Sequence, residues 1–353
     1  MQEIISKVEA GERITGAEFM RLAKDADLYQ LGFLADGIRK EKHPEPLVTY
    51  VIDRNINYTD ICISACKFCA FFKAPEDKDG SLLTFEELEQ KIVETKELGG
   101  TQILLQGGLH PDKPLEYYEE MVRFIKSTGI HIHGFSPPEI CHFAELSGLS
   151  IVEVLERLIA AGLDSIPGGG AEILSDRVRQ ILAPRKCSAD RWIEVMESAH
   201  NLGMRTTATM MFGHVETMEE RLEHLQRLRD LQDRTGGFTA FIPWPFQPDN
   251  TALHQASPIE KTTGFEYLRM LALSRIFLDN FDNIQASWVT QGPKIAQLSL
   301  FFGANDFGST MIEENVVAAA GVHFRLTEQE IRRLVQEAGF EPQQRLMDYT
   351  PVS

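Results

Sequence analysis

The chain has 353 residues, of which 43% are hydrophobic and 25% are charged, a composition typical of a globular protein with one large core. Its 52 Asp and Glu residues outnumber its 35 Lys and Arg residues, and the net charge of -17 argues against a nucleic-acid partner, because phosphate backbones attract basic surfaces. Three of the five cysteines are clustered, which argues against a disulfide framework and leads us to expect a cytoplasmic protein.

The first segment of the chain, residues 1–45, is predicted to be helical. It is rich in charge and contains no continuous apolar stretch near its start, so we expect neither a signal peptide nor a membrane span. Beyond it, short apolar runs alternate with longer amphipathic runs, a rhythm typical of repeated βα units. Strands are predicted at residues 47–56, 101–108, 129–135, 164–168, 205–213, 238–244, 283–289 and 298–306.

Eight such units predict an α/β fold, a TIM-type (β/α) barrel over residues 46–306, although an open barrel of six units fits the same pattern. Helix-period stretches such as residues 84–99 lie between most of the strands. Residues 307–353 are predicted to form a C-terminal helical extension that packs on the barrel. Its helix is expected over residues 327–345 and is ended by Gly339.

The loop after the first predicted strand contains Cys62, Cys66 and Cys69 in a C-x3-C-x2-C pattern. Thiolates at this spacing can bind three irons of an iron–sulfur cube, because iron favours soft sulfur ligands. Structural zinc sites use four protein ligands and normally pair one C-x2-C with a second Cys or His pair, which does not follow here. Three ligands leave one metal position open for chemistry.

The two remaining cysteines, Cys141 and Cys187, lie far from this loop in sequence. Either of them could complete a four-thiolate cluster of the electron-transfer kind, and the spacing alone leaves that alternative open. Free cysteine is more often a small buried hydrophobic residue. We therefore do not include them among the expected ligands.

Glycine-rich or polar loops follow most of the predicted strands, where a parallel barrel carries its functional residues. The pair Gly107–Gly108, after Gln106, lets the backbone pass close to a ligand. The run 167–170 is followed by Glu172, a carboxylate suited to the two hydroxyls of a ribose. Turn punctuation alone would explain some of these glycines, but their recurrence at corresponding strand ends favours one functional mouth.

The cysteine run resembles the signature of the radical S-adenosylmethionine (SAM) superfamily, C-x3-C-x-aromatic-C, with Phe68 as the aromatic residue. The resemblance implies a 4Fe-4S cluster whose open iron binds SAM, and a 5′-deoxyadenosyl radical that removes hydrogen from a substrate. It also implies that the turn at Gln106, Gly107 and Gly108 contacts the SAM amine and that Glu172 binds the SAM ribose. A bidentate contact to the SAM carboxylate is expected from Arg185 or Arg191, although either one taken alone could be an ordinary surface arginine.

The same loops contain candidates for catalysis and for substrate binding. A histidine could accept a proton after substrate oxidation, and His110 and His214 follow predicted strands. Hydroxyl and carboxylate groups opposite the cysteine loop would suit a sugar or carboxylate substrate; these are Ser136, Glu139, Ser287, Ser309 and Thr310. Aromatic residues such as Trp244 and Trp288 could form the apolar part of the pocket.

Longer matches, among them SIPGGGAEIL, IPWPFQP and SWVTQGPKIAQLSLFFGANDFGSTMIEE, resemble the family of cyclic dehypoxanthinyl futalosine synthases of menaquinone biosynthesis. This implies oxidative cyclisation of dehypoxanthine futalosine, begun by hydrogen abstraction from the ribose C4′, with an external reductant such as flavodoxin or ferredoxin. The related aminofutalosine synthases and deazaflavin-cofactor synthase subunits remain alternatives. A non-catalytic iron–sulfur protein is the alternative from another class.

Overall fold

The computed structural model describes residues 1–352. Its strands are β1 Leu47–Val51, β2 Asp53–Asn57, β3 Gln102–Gln106, β4 His131–Gly134, β5 Ser165–Ile166, β6 Arg205–Phe212, β7 Phe238–Pro245, β8 Asn283–Ile284, β9 Asp306–Ser309 and β10 Glu341–Gln344. Its helices are α1 Gln2–Glu9, α2 Gly16–Asp25, α3 Leu28–Lys42, α4 Phe85–Glu97, α5 Leu115–Ser127, α6 Pro137–Ser147, α7 Ile151–Ala161, α8 Asp176–Leu182, α9 Ala189–Asn201, α10 Met218–Thr235, α11 Ala252–Ala256, α12 Gly264–Phe277, α13 Trp288–Ser299, α14 Val316–Ala319 and α15 Glu328–Glu337.

Seven parallel strands form the main sheet in the order β2-β3-β4-β5-β6-β7-β8. At least one helix follows each of the first six of these strands along the chain, from α4 after β2 to α12 before β8, which is the connection that parallel neighbours need. Apolar strand residues such as Ile103 and Leu105 are fully buried. The sheet curls with its helices outside, and the predicted TIM-type α/β fold is confirmed.

A second parallel sheet, in the order β10-β1-β9, continues this ring of strands. The amides of Thr310 and Ile312 donate to the carbonyls of Val51 and Asp53 at 2.9 and 3.1 Å. On the other side of β9, the amide of Ala286 donates to the carbonyl of Asp306 at 2.9 Å. Backbone hydrogen bonds therefore run from β8 through β9 and its continuation to β1 and β2.

The predicted strand at 47–56 is two strands, because β1 pairs with β9 and β10 whereas β2 pairs with β3. The predicted strand at 298–306 is wrong. Residues 288–299 form α13, turns follow, and β9 begins only at Asp306. Gly303, with φ of +99°, packs against the Arg275 side chain, so the chain turns where the apolar run suggested a continuous strand.

The C-terminal helix is shorter than expected. It ends at Glu337, and Gly339 follows with φ of +87°, as the glycine signal indicated. The predicted helical continuation to residue 345 is wrong, because residues 341–344 form β10 against β1. Pro342 is tolerated there because β10 is an edge strand. Among residues 1–352, no helix is both long and apolar enough to cross a membrane.

Candidate active site

The cysteine loop leaves the end of β2 and is held by its neighbours. The amide of Leu109 donates to Cys62 Sγ at 3.3 Å, and Ser64 Oγ lies 3.2 Å from Cys66 Sγ. Cys66 is buried, whereas Cys62 and Cys69 are partly exposed. Burial raises the pKa of the Cys66 thiol to about 11 and also raises the pKa of Cys69, and metal binding would be needed to hold both as thiolates.

The donor set fits an iron–sulfur cube better than a single ion. A structural zinc site needs side-chain ligands that converge on one metal ion. Within residues 1–352, no three His, Cys, Asp or Glu side chains converge in this way. A cube does not require that convergence, because each thiolate binds a different iron. Arg179 Nη2 lies 3.7 Å from Cys187 Sγ, and the neighbouring Cys187 thiol raises the pKa of Cys141.

The glycine turn after β3 packs directly on the cysteine loop. A Cβ added at Gly107 would lie 2.4 Å from the ring of Tyr58, and one at Gly108 would lie 2.2 Å from the carbonyl oxygen of Ile61. The amide of Gly108 donates to the Thr59 carbonyl at 2.9 Å. No larger side chain fits at either position without moving the cysteine loop, so the turn and the loop form one unit.

Glu172 lies close to the cysteine loop, because its partner Lys186 also contacts Phe68 of that loop. It is buried, has φ of +41°, and accepts a hydrogen bond from Lys186 Nζ at 2.9 Å. Lys186 Nζ also lies 5.0 Å from the ring centroid of Phe68, a cation–π distance. Burial lowers the pKa of Lys186, but Cys66 and Glu172 raise it more, so the net pKa is raised and the ammonium persists.

Sequence reasoning did not identify Lys186, although it sought a cation nearby in Arg191. The Arg191 guanidinium pairs with Glu194 at 2.7 Å, and its side chain is 43% exposed. Arg185 donates to the carbonyl of Ile63 in the cysteine loop at 3.0 Å. The cation that contacts both the motif aromatic and Glu172 is therefore the lysine, which only the tertiary structure places there.

A cavity of about 290 Å³ adjoins Glu172 inside the barrel. Four of the residues predicted for the site line it, namely Gln106, Glu172, Ser287 and Ser309, as do Trp244 and Trp288. Lining residues that sequence reasoning did not identify are Asp53, Asn55, Glu314, Arg345, Met347 and Tyr349. Arg345, Met347 and Tyr349 belong to the segment after β10, residues 345–352, here called the C-terminal tail. This tail therefore forms part of the cavity wall.

The other predicted polar residues lie differently. Ser287 Oγ is 2.7 Å from Thr290 Oγ1, and the Ser309 hydroxyl donates to Asp53. Thr310 Oγ1 is buried without a hydrogen-bond partner among the described residues. Ser136 and Glu139 bond to each other beneath the glycine turn and do not line the cavity.

The two predicted catalytic histidines do not line this cavity. His110 Nδ1 accepts from the amide of Asp112 at 3.1 Å, and burial lowers the pKa of His110. His214 Nε2 lies 3.0 Å from the Met211 carbonyl oxygen, and its Nδ1 accepts the Val215 amide at 2.7 Å. The His110 ring is held by the backbone of its own loop, and the His214 ring is held by backbone groups and by Glu216, whose Oε2 lies 2.8 Å from His214 Nδ1.

The histidine that does line the cavity is His133 on β4. Its Nδ1 lies 2.8 Å from Ser165 Oγ. Burial lowers the pKa of His133 to about 3, so its ring is neutral at neutral pH.

Three thiols on one loop of a (β/α) barrel, with a glycine turn packed on that loop, are typical of a radical SAM enzyme. The acid beside the internal cavity fits the same class. The chain belongs to the radical SAM superfamily: the superfamily model matches residues 56–228, and the model of the CofH/MqnC C-terminal region matches residues 235–353. Its cofactors are accordingly a 4Fe-4S cluster and SAM, as the cysteine run led us to expect.

Relatives of known name are similar over nearly the whole chain. A cyclic dehypoxanthine futalosine synthase of Streptomyces coelicolor is 48% identical, covering 99% of this chain and 88% of the relative. A 5-amino-6-(D-ribitylamino)uracil–L-tyrosine 4-hydroxyphenyl transferase of Methanopyrus kandleri is 41% identical, covering 100% and 97%. The hydrogenase maturase HydG of Carboxydothermus hydrogenoformans shares the fold, with a TM-score of 0.78 at 20% identity, covering 99% and 80%.

Proposed function

We propose that this chain catalyses the SAM-dependent oxidative cyclisation of dehypoxanthine futalosine to cyclic dehypoxanthine futalosine. The observation that carries this proposal is the 48% identity to the Streptomyces coelicolor synthase across 99% of the chain. The similarity includes the C-terminal tail, whose residues Arg345, Met347 and Tyr349 line the cavity. The proposal therefore draws on residues that line the cavity as well as on the cysteine loop.

The chain's own residues would divide the work between the cysteine loop and the cavity next to Glu172. Cys62, Cys66 and Cys69 would hold the cluster, with which SAM supplies a 5′-deoxyadenosyl radical when both are bound. Glu172 would accept hydrogen bonds from the SAM ribose, because its carboxylate lies beside the cavity. Lys186 would hold Glu172 in place and offer a positive charge to the SAM carboxylate.

The substrate would occupy the part of the cavity between Glu172 and the C-terminal tail. Ring closure between the ribose C4′ and the benzoate ring requires the two groups to be folded against each other before a radical forms, and such orientation contributes much of the rate. Apolar walls such as Trp244 and Ile242 can exclude water and other hydrogen donors, while Asn55 and Ser287 offer polar contacts.

The proposed partners follow from this reaction. Dehypoxanthine futalosine would be the small-molecule substrate, and a one-electron reductant such as flavodoxin or ferredoxin would supply the electron to the cluster held by the three cysteines. The acidic net charge of -17 supports the absence of a nucleic-acid partner, and we propose the cytoplasm as the location, where such reductants and reduced thiols are found.

Anaerobic turnover tests the proposal. Reconstituted enzyme with dithionite, SAM and dehypoxanthine futalosine should release 5′-deoxyadenosine together with a product two hydrogens lighter than the substrate. Cys66→Ala should abolish both, while Cys141→Ala should not. Release of 5′-deoxyadenosine without the lighter product would reject the proposed substrate but leave the radical SAM assignment intact.

The relative from Methanopyrus kandleri supports a second candidate, because it is 41% identical over the full chain. The same assay with L-tyrosine and 5-amino-6-(D-ribitylamino)uracil would detect that transfer reaction. Enolpyruvyl benzoate provides the corresponding arm for aminofutalosine synthesis. Turnover in either arm, with none on dehypoxanthine futalosine, would replace the cyclase proposal.

The choice between Lys186 and Arg191 has its own test. Lys186→Met should weaken SAM binding by about tenfold, the loss of one hydrogen bond or ion pair to a charged group. Arg191→Met is the matched control, because its guanidinium pairs with an exposed glutamate. The opposite result, a loss only in the arginine variant, would return the carboxylate contact to Arg191.

A further inference from the structure

The side chain of Glu139 connects three strand ends beneath the mouth of the barrel. It is 1% exposed and lies in the first turn of α6. Its Oε1 accepts from Tyr58 OH at 2.7 Å and from the amide of Gly107 at 3.1 Å, and its Oε2 accepts from Ser136 Oγ at 2.6 Å. These donors follow β2, β3 and β4, three neighbouring strands of the main sheet.

The partners of Glu139 are themselves in contact with the cysteine loop. Tyr58 starts the segment that leads to Cys62, and its ring fills the space where a Cβ at Gly107 would lie. Two residues beyond Gly107, the amide of Leu109 donates to Cys62 Sγ, and its carbonyl accepts from the amide of Ile63 at 3.0 Å. A shift of the turn relative to the cysteine loop would therefore alter the hydrogen bond that Cys62 Sγ accepts.

The bonding of Glu139 is unusual for a buried carboxylate. No Lys, Arg or His of the described residues forms an ion pair with it, and its partners are two hydroxyls and one backbone amide. A buried carboxylate without a cation is retained at an energetic cost. Its fixed geometry is consistent with a role in holding the three strand ends in register.

We propose that Glu139 is a positioning residue for SAM: by holding the Gly107 amide and Tyr58, it fixes the glycine turn relative to the cysteine loop so that both meet the same SAM molecule. Glu139 does not line the cavity, which distinguishes this role from the substrate contact that its place in the sequence suggested. The inference concerns cofactor binding and holds whichever substrate the enzyme uses.

The experiment compares two substitutions in the reconstituted holoenzyme. Glu139→Ala removes all three acceptor contacts. We expect it to raise the Kd for SAM by at least about tenfold, because a displaced glycine turn would lose one hydrogen bond to the charged SAM amine. Glu139→Gln should restore binding, because its amide oxygen can still accept from Tyr58 and Gly107 while its NH₂ group donates to the Ser136 hydroxyl. Iron content per chain should stay unchanged in both.

Binding is read from the change that SAM produces in the electron paramagnetic resonance signal of the reduced cluster. Glu145→Ala is the matched control, since Glu145 is an exposed acid on the same helix. Tyr58→Phe is a second variant that keeps the ring packed on Gly107, and we expect a smaller rise in Kd. It also tests the proposal should Glu139→Ala fail to fold.

Three results would overturn the inference. Unchanged SAM affinity in both Glu139→Ala and Tyr58→Phe would show that the turn does not need this contact. An equal loss in Glu139→Gln and Glu139→Ala would assign the effect to charge and not to hydrogen bonding. An equal loss in the Glu145→Ala control would show only a general sensitivity of α6.

Discussion

The C-terminal tail can be tested through the ion pair that attaches it to the barrel. Arg345 Nε and Nη2 lie 2.5 and 3.1 Å from the two carboxylate oxygens of Asp306, and their side chains are 6% and 0% exposed. Thr49 Oγ1 donates to the same carboxylate at 2.5 Å, and the Arg345 guanidinium lies 3.9 Å from the ring centroid of Tyr349. We predict that Arg345→Met destabilises the protein substantially.

The expected magnitude follows from burial. Removing one partner of a buried ion pair leaves the other charge uncompensated and costs about 3–5 kcal/mol. Here the remaining charge would be Asp306, close to the buried carboxyl of Asp53, whose pKa burial raises. Loss of the guanidinium stack on Tyr349 adds about 1 kcal/mol. A double variant with Asp306→Asn should recover part of this loss, because it no longer contains an unpaired charge.

The assay is anaerobic urea denaturation followed by tryptophan fluorescence, with the free energy of unfolding taken from midpoint and slope. Arg333→Met is the matched control: its partner Glu337 lies 2.8 Å away, but the two side chains are 60% and 53% exposed, so the change should stay below about 1 kcal/mol. If Arg345→Met were as mild as the control, the buried pair would not be holding the tail, and this reasoning would be refuted.

Three further predictions concern the site. Gly107→Ala should abolish release of 5′-deoxyadenosine, measured by chromatography, because its Cβ would lie 2.4 Å from a buried ring, whereas Gly37→Ala meets no atom within 4 Å. Burial raises the pKa of Glu139 from 4.5 to about 7, so between these two pH values unfolding releases a proton. The free energy of unfolding should therefore fall by about 3 kcal/mol as pH rises from 4.5 through 7. Urea denaturation of Glu139→Gln should show no such pH dependence. His110→Gln and His214→Gln should leave the product formed per 5′-deoxyadenosine unchanged, by mass spectrometry, because neither ring lines the cavity.

Each of these has a result that contradicts it. Normal 5′-deoxyadenosine release by Gly107→Ala would show that the turn can move away from Tyr58. An identical pH dependence in wild type and Glu139→Gln would assign the titration to other groups. A loss of about a hundredfold in either histidine variant, the contribution of a general base, would restore that histidine as the proton acceptor.

The barrel was predictable from sequence where strands are apolar and bounded by glycine or proline. The predicted strand at 205–213 corresponds to β6 at Arg205–Phe212, and that at 238–244 to β7 at Phe238–Pro245. Strand β10, with the sequence EPQQ, has no apolar alternation because it is an edge strand of intermediate to high exposure, so no pattern could reveal it. The error at 298–306 has the opposite cause, an apolar run that folds as a helix end.

The site divides in the same way. Cys62, Cys66 and Cys69 lie close together in sequence, so their spacing predicted an iron–sulfur ligand set and carried the resemblance to the radical SAM signature. Lys186 and Arg345 carry no local motif. Lys186 contacts Phe68 and Glu172, and Arg345 lines the cavity, only because the loop after α8 and the C-terminal tail fold back onto the barrel. Residues that act through a tertiary contact leave no periodic or spaced signal, which is why neither of these two was predicted.

The cysteine loop and the C-terminal residues that line the cavity lie in different parts of the chain, and this bears on specificity. The cysteine loop, the glycine turn and Glu172 lie within residues 56–228, the part that matches the radical SAM superfamily. Ser287, Glu314 and the tail lie within residues 235–353, the part that matches the CofH/MqnC C-terminal region. Relatives named for a cyclisation and for a transfer reaction match both parts over nearly the full chain. Because the proposed radical chemistry rests on residues of the first part, we expect differences in reaction to arise from residues of the second part, where a substitution should redirect the substrate while the release of 5′-deoxyadenosine continues.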